Sequence, residues 1–193
     1  MVDGLQSSSG PRMTSRLSDA FQQWSYLFYD LGLIVNRRYW RWLTCWFGGS
    51  AGILVSYRLD RFFYLLLGEV WALVRILFFP LFLLLRLLSA PHEIHYRAQI
   101  GRGLKILHGS LGIVVSGHAV IGEGLTLTGG NCIGERRPGI LMLVNNVTLG
   151  ANAVVLGPVK IGDGAQIGAG AVVVNDAKND AVLVGVPAHP IDE

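Results

Sequence analysis

The sequence predicts a mainly β fold, a parallel β-helix of six-residue repeats preceded by apolar amphipathic α-helices, and three observations carry that reading. Ile121, Leu127 and Ile133 lie six residues apart; after an interruption, Leu149, Val155, Ile161, Ile167 and Val173 resume the same spacing. Glycine accounts for 25 of the 193 residues and often follows the aliphatic position, as in Ile121-Gly122 and Ile161-Gly162. The chain is 51% hydrophobic and only 15% charged, against about 25% charged in an ordinary soluble domain. That composition demands either extensive backbone burial or an apolar surface with a partner. The length allows one compact domain plus, at most, a short second element.

Residues 1–20 are rich in Ser, Gly and Asp and read as a disordered tail. Residues 21–92 read as a membrane-associated helical region. Within it Asn36, Arg37, Arg38 and Arg41 alternate with Tyr39, Trp40, Trp42 and Trp46, side chains that satisfy both a headgroup layer and hydrocarbon. Residues 62–88 are the most apolar stretch, yet the uninterrupted run from Ile76 to Leu85 falls short of the roughly 20 residues of a spanning helix. One or two amphipathic helices bent at Pro80 and lying in a leaflet fit better, with an oligomer interface as the competing occupant of the same surface.

Residues 93–175 read as the coil itself. A short strand and a tight corner every six residues generate three faces per 18 residues, with one aliphatic side chain pointing inward from each face. No segment here carries the 3.6-residue period that the crossover helix of an α/β domain requires. The interruption at residues 134–146, GERRPGILMLVNN, reads as a loop leaving a corner, where binding groups are carried. Residues 176–193 read as a C-terminal cap or tail.

Charge and cysteine content exclude several classes. Residues 1–97 hold ten arginines against six acids, residues 98–193 hold six basic side chains against seven acidic, and no basic cluster interleaves with aromatics, so nucleic acid is not expected as a partner. Cys45 and Cys132 read as small buried hydrophobes in a reducing compartment. No spacing of ligands points to a metal, and the start lacks the basic-then-apolar pattern of a secretion signal.

The repeat, together with ILHGSLGIVVSG, IGDGAQIGAGAVVVNDA and the terminal GVPA, resembles the left-handed β-helix acyltransferases with hexapeptide repeats. Within them it looks most like the serine acetyltransferase branch, and more closely like the bacterial exopolysaccharide (colanic-acid type) O-acetyltransferases. The resemblance implies transfer of acetyl from acetyl-CoA to a hydroxyl. Such chemistry needs a base, and neutral imidazole suits the pH. His108 matches the family's catalytic histidine, and Glu93, fifteen residues upstream in EIHYRAQIG, matches its orienting carboxylate with one extra methylene. His95 also matches a family position and reads as structural, while His92 and His118 have weak claims.

Departures from the pattern bear on the acceptor. The carboxylate that in the family precedes the histidine and holds the amino group of serine is Leu107 here. The family's arginine–histidine pair aligns with Arg136 and Arg137. These changes favour an anionic acceptor, a polysaccharide or lipid-linked sugar precursor, held by two guanidinium groups; serine or another small molecule is the alternative, and a non-catalytic membrane-bound scaffold a third. For acetyl-CoA, Gly150, Ala151, Gly168 and Ala169 match the family's run of small residues along the thioester arm, Lys160 and Lys178 are candidate phosphate contacts, and His189 stands where the family has an arginine. The resemblance further implies a homotrimer with its sites between neighbours. With the apolar region at one end, that places the protein on the cytoplasmic face of the bacterial inner membrane, in contact with membrane lipid.

Overall fold

The computed structural model describes residues 13–35, 49–80 and 91–191. The arginine- and aromatic-rich stretch at 36–48, and the apolar residues 81–90, lie outside the described residues, and so do the expectations that fall on them.

Among the described residues three helices come first: α1 (Met13–Val35), α2 (Ser50–Leu67) and α3 (Val70–Leu77). Helix α1 starts inside the stretch read as a disordered tail, because Ala20, Gln23 and Leu27 bury a stripe at helical spacing. Aromatic edges join α1 to α2, with Phe62 at 6.1 Å from Phe21 and 5.5 Å from Trp24 between ring centroids. Gly68, at φ +60°, turns the chain into α3, where Trp71 is buried and stacks on Phe63 at 4.9 Å. The opposite side of α3 is apolar and open: Leu73, Ile76 and Leu77 are 66%, 72% and 76% exposed. Among the described residues no helix is long and apolar enough to cross a membrane.

From His92 onward the chain is a parallel β-solenoid with three faces. The first face stacks β1 (His92–Ile94), β4 (Ile113–Val115), β7 (Asn131–Glu135), β10 (Val154–Gly157) and β13 (Val172–Val173). The second stacks β2 (Gln99–Ile100), β5 (Val120–Ile121), β8 (Leu141–Leu143) and β11 (Val159–Ile161). The third stacks β3 (Lys105–Ile106), β6 (Thr126–Leu127), β9 (Thr148–Leu149), β12 (Gln166–Ile167) and β14 (Val182–Val184), with β15 (His189–Pro190) antiparallel on its outer side. The solenoid therefore runs past residue 175: Ala177 bridges Ile161 and β14 pairs with β12, so part of the expected tail forms a further rung.

The six-residue period is borne out residue by residue. Ile121, Leu127, Ile133, Leu149, Val155, Ile161, Ile167 and Val173 all point into the core, and so do Ile94, Ile100, Ile106 and Val115, which extend the period upstream. Between Ile94 and Val173 the phase slips twice, between Ile106 and Val115 and between Ile133 and Leu143, and both slips are extra residues accommodated at corners. One inward position is polar: buried Asn131 accepts from the Gly129 amide and donates to the Gly150 carbonyl, bracing successive rungs.

The corners alternate glycine with left-handed Asn or Asp. Gly130 (φ +69°) lies beneath Asn152 (φ +58°), and a Cβ on Gly130 would fall 2.0 Å from Asn152 Oδ1. Gly170 has the same φ of +69° with nothing within 4 Å. Gly130→Ala therefore carries both backbone strain and a collision, Gly170→Ala the strain alone. We expect Gly170→Ala to cost about 1 kcal/mol and Gly130→Ala roughly 2–3 kcal/mol, compared through denaturation midpoints.

Among the described residues no rung lies beneath the first, so its edge would leave main-chain groups unpaired. Helix α2 supplies them. The Tyr57 hydroxyl donates to the Ala98 carbonyl (2.9 Å) and accepts from the Ile100 amide (3.2 Å). Arg58 donates to the carbonyls of Ile100 and Gly101, both at 2.7 Å, and Arg61 to those of Tyr96 and Arg97. Asp30 of α1 holds Arg58 at 2.7 Å through one oxygen and accepts from the amides of Gly103 (2.7 Å) and Leu104 (3.2 Å) through the other. Arg58 and Asp30 are 1% and 0% exposed.

Candidate active site

His108 stands on the edge between the third and first faces, at the first phase slip, where the extra residues form a short 3-10 turn, Gly109–Leu111. The His108 amide donates to the Thr128 carbonyl of the next rung (2.9 Å), and its own carbonyl accepts from Leu111 (3.2 Å). Gly129 passes so close that a Cβ there would lie 2.4 Å from the His108 carbonyl oxygen. The imidazole is exposed, and no hydrogen bond to it occurs among the described residues, so its placement depends on this turn.

The small residues matched to the thioester arm share that edge. Gly150 and Ala151 follow β9, and Gly168 and Ala169 follow β12, at the same corner two and three rungs further along. They stack so tightly that a Cβ on Gly150 would lie 2.6 Å from the Ala169 amide nitrogen. Ladder spacing puts them about 10 to 14 Å from the His108 level. The result is a narrow track of backbone leading to the imidazole.

Other candidates lie elsewhere on the single copy. Glu93 projects from β1 on the first face, exposed and without a hydrogen bond to His108. It lines a groove of about 320 Å³ with His95, Arg97, Ser116 and His118. There the His95 ring lies over Gly117, stacks on Tyr96 (4.4 Å), and accepts the Arg97 amide at Nδ1 (3.1 Å), so its proton sits on Nε2. Burial, with Arg97, Arg75 and His118 adding to it and Glu93 opposing, lowers the His95 pKa and keeps the ring neutral. His118 pairs with Glu135 at 3.1 Å, at the base of the loop that carries Arg136 and Arg137.

That loop is the second phase slip, and it leaves the solenoid at the edge between the first and second faces; both arginines are exposed. Leu107, 56% exposed, adjoins His108 on the other side of the first face. Lys160 projects from β11 on the second face, Lys178 sits at the edge beyond it, and His189 lies on β15. Within one copy Arg136, Arg137, Lys160 and Lys178 stand away from the edge that Leu107 shares with His108, while His189 pairs with Val184, one rung beyond Gly168. The structure also reveals a contact that sequence reasoning missed: buried Ser50, at the start of α2, accepts the amide of Gly109 (3.3 Å). The three-residue slip between Ile106 and Val115 is the signal that marks this turn. Among the described residues no group of three or more His, Cys, Asp and Glu is arranged to hold a metal ion.

Comparison with known proteins now adds to the geometry. Residues 143–175 match the bacterial transferase hexapeptide (six repeats) family. The chain is 42% identical over 106 residues to a serine acetyltransferase of Synechococcus elongatus, covering 51% of this chain and 42% of that protein. It is 43% identical over 106 residues to one of Helicobacter pylori, covering 51% and 60%. It thus spans about half the length of these curated relatives. A serine acetyltransferase of Neisseria gonorrhoeae in complex with serine superposes with a TM-score of 0.70 at 28% identity, covering 92% of this chain and 72% of that one. Another, in complex with CoA, gives 0.66 at 26% identity, covering 92% and 74%.

These matches correct the expected acceptor. The relatives are serine acetyltransferases, one solved neighbour holds serine, and a polysaccharide or lipid-linked sugar has no support among them; nor has exopolysaccharide synthesis or membrane attachment. The sugar reading rested on Leu107 and on the adjacent Arg136 and Arg137; in one copy the two arginines stand on a different edge of the solenoid from Leu107 and His108. The solenoid of hexapeptide repeats stands, and the chain carries a stretch matching bacterial transferase hexapeptide repeats and is similar in sequence and fold to serine acetyltransferases.

Proposed function

We propose that this chain transfers acetyl from acetyl-CoA to the hydroxyl of serine, with His108 as general base. The observation that carries the reading is the shared edge: the exposed imidazole of His108 stands at the head of the small-residue track of Gly150, Ala151, Gly168 and Ala169. The serine hydroxyl attacks the thioester carbonyl as His108 takes its proton. Collapse of the tetrahedral adduct breaks the C–S bond, and the proton passes from the imidazolium to the departing thiolate. Glu93 is the carboxylate that orients the imidazole once the acceptor is seated, since catalytic hydrogen bonds commonly close only in the complex.

Arg136 and Arg137 take part from a neighbouring copy. A homotrimer that packs the loop edge of one solenoid beside the His108 edge of the next brings a guanidinium to the serine carboxylate, and supplies charges for CoA that one copy keeps on its other edges. Leu107 offers no charge to the amino group, which places the weight of recognition on the carboxylate side.

The test is thiol release from acetyl-CoA with and without L-serine, with O-acetylserine identified by mass spectrometry. Serine-dependent release supports the reading. Protein that binds CoA yet shows no serine-dependent release overturns it.

A further inference from the structure

In the turn carrying His108, four of the six amides of residues 107–112 are held by main-chain bonds. The amides of Leu107 and His108 donate to the carbonyls of Leu127 and Thr128, that of Leu111 to His108, and that of Gly112 to Gly109. The Gly112 carbonyl in turn accepts from Gly130 (2.8 Å). The buried Gly109 amide is held by a side chain instead. Gly109 is buried, and its N–H is met by the hydroxyl of Ser50, 59 residues earlier.

Ser50 is itself unusual. The N-cap of α2 is Gly49, which has no side chain to cap the first amides, and Ser50 as the first helical residue is one position past the capping place. Gly49, in the left-handed region at φ +74°, delivers Ser50 to the seam between helix and solenoid, where it is 5% exposed. A buried hydroxyl whose acceptor lone pair serves the residue next to the general base is placed to fix that base's main chain, not to start a helix.

We propose that Ser50 is a positioning residue for His108, through which the helical region sets the direction of the imidazole. The proposal rests on the serine acetyltransferase reading for its catalytic arm only. Since the imidazole has no side-chain partner among the described residues, its aim follows the backbone of residues 107–112. Removing the hydroxyl leaves a buried N–H without a partner, and the turn relaxes away from the acceptor hydroxyl, a displacement that acts on the chemical step more than on binding.

Ser50→Ala, Ser50→Thr and wild type, each as the full chain, are compared in two measurements. Amide hydrogen exchange of the peptide spanning residues 107–112 accelerates by about tenfold or more in Ser50→Ala and returns toward wild type in Ser50→Thr, with the β9–β12 peptides unchanged. With L-serine and acetyl-CoA, Ser50→Ala lowers kcat about tenfold, leaves both KM values within about twofold, and Ser50→Thr recovers most of the loss. Unchanged exchange in Ser50→Ala overturns the proposal, as does an equal effect of Ala and Thr. If wild type does not acetylate serine, the serine reading falls while the exchange comparison alone decides whether Ser50 holds the turn.

Discussion

Replacing His108 by alanine is expected to lower serine-dependent thiol release by roughly 10³-fold, within the 10²–10⁴-fold range that general-base catalysis supplies. The affinity for CoA stays within about twofold, because the track proposed for the thioester arm is backbone and small side chains two and three rungs away. Thermal stability stays nearly unchanged, since the imidazole is exposed and makes no hydrogen bond among the described residues. This combination discriminates: a structural histidine would show the reverse, lost stability with modest kinetic effect. Glu93→Gln, which keeps the size and removes the charge, is expected to fall between, with a loss in kcat of about tenfold. Steady-state kinetics beside isothermal titration of CoA decides both.

The largest effect on stability is expected at Arg58. Arg58→Met leaves Asp30 as a buried carboxylate without its cation and strips the Ile100 and Gly101 carbonyls of their donors. Breaking one side of a buried pair costs roughly 3–5 kcal/mol, which in a chain of this length lowers Tm by about 6–20 °C. Asp30→Asn is milder, since an amide oxygen still accepts from Gly103 and Leu104. The double variant Arg58→Met, Asp30→Asn loses less than the two single losses added together, because its second substitution removes the charge that the first left stranded. Urea denaturation of the four proteins measures the coupling directly.

The parts of this fold that are local and periodic were legible in the amino-acid sequence. Aliphatic residues at every sixth position fill the core because each face of the coil repeats one backbone conformation, and a repeat of conformation is a repeat of side-chain direction. His108 stood out as the candidate base through the residues around it, and it lies on the edge shared with the small-residue corners. Arg58 and Asp30 were not legible: they lie 28 residues apart on two helices, and only the packing of α1 against α2 brings them together beneath the first rung. Ser50 and Gly109 meet across 59 residues for the same reason. The acceptor was misread where the departures at Leu107, Arg136 and Arg137 were given more weight than the likeness of the rest of the solenoid to serine acetyltransferases. Helix α1 was read as starting too late, since its first turn is polar and its buried stripe opens only at Ala20.

The direction of β15 has a consequence for how the protein exists in bulk. A parallel coil can in principle accept another coil on its last rung, and a population of such molecules would grow into fibres. Here the final strand runs backwards against β14, setting Pro190, which has no N–H to offer, opposite Leu183. At the other end, the donors and acceptors of the first rung are spent on Tyr57, Arg58, Arg61 and Asp30. Polymerisation along the axis is thereby denied at both termini, and the described surfaces left for copies to meet are the flanks, where the edges and their loops are found.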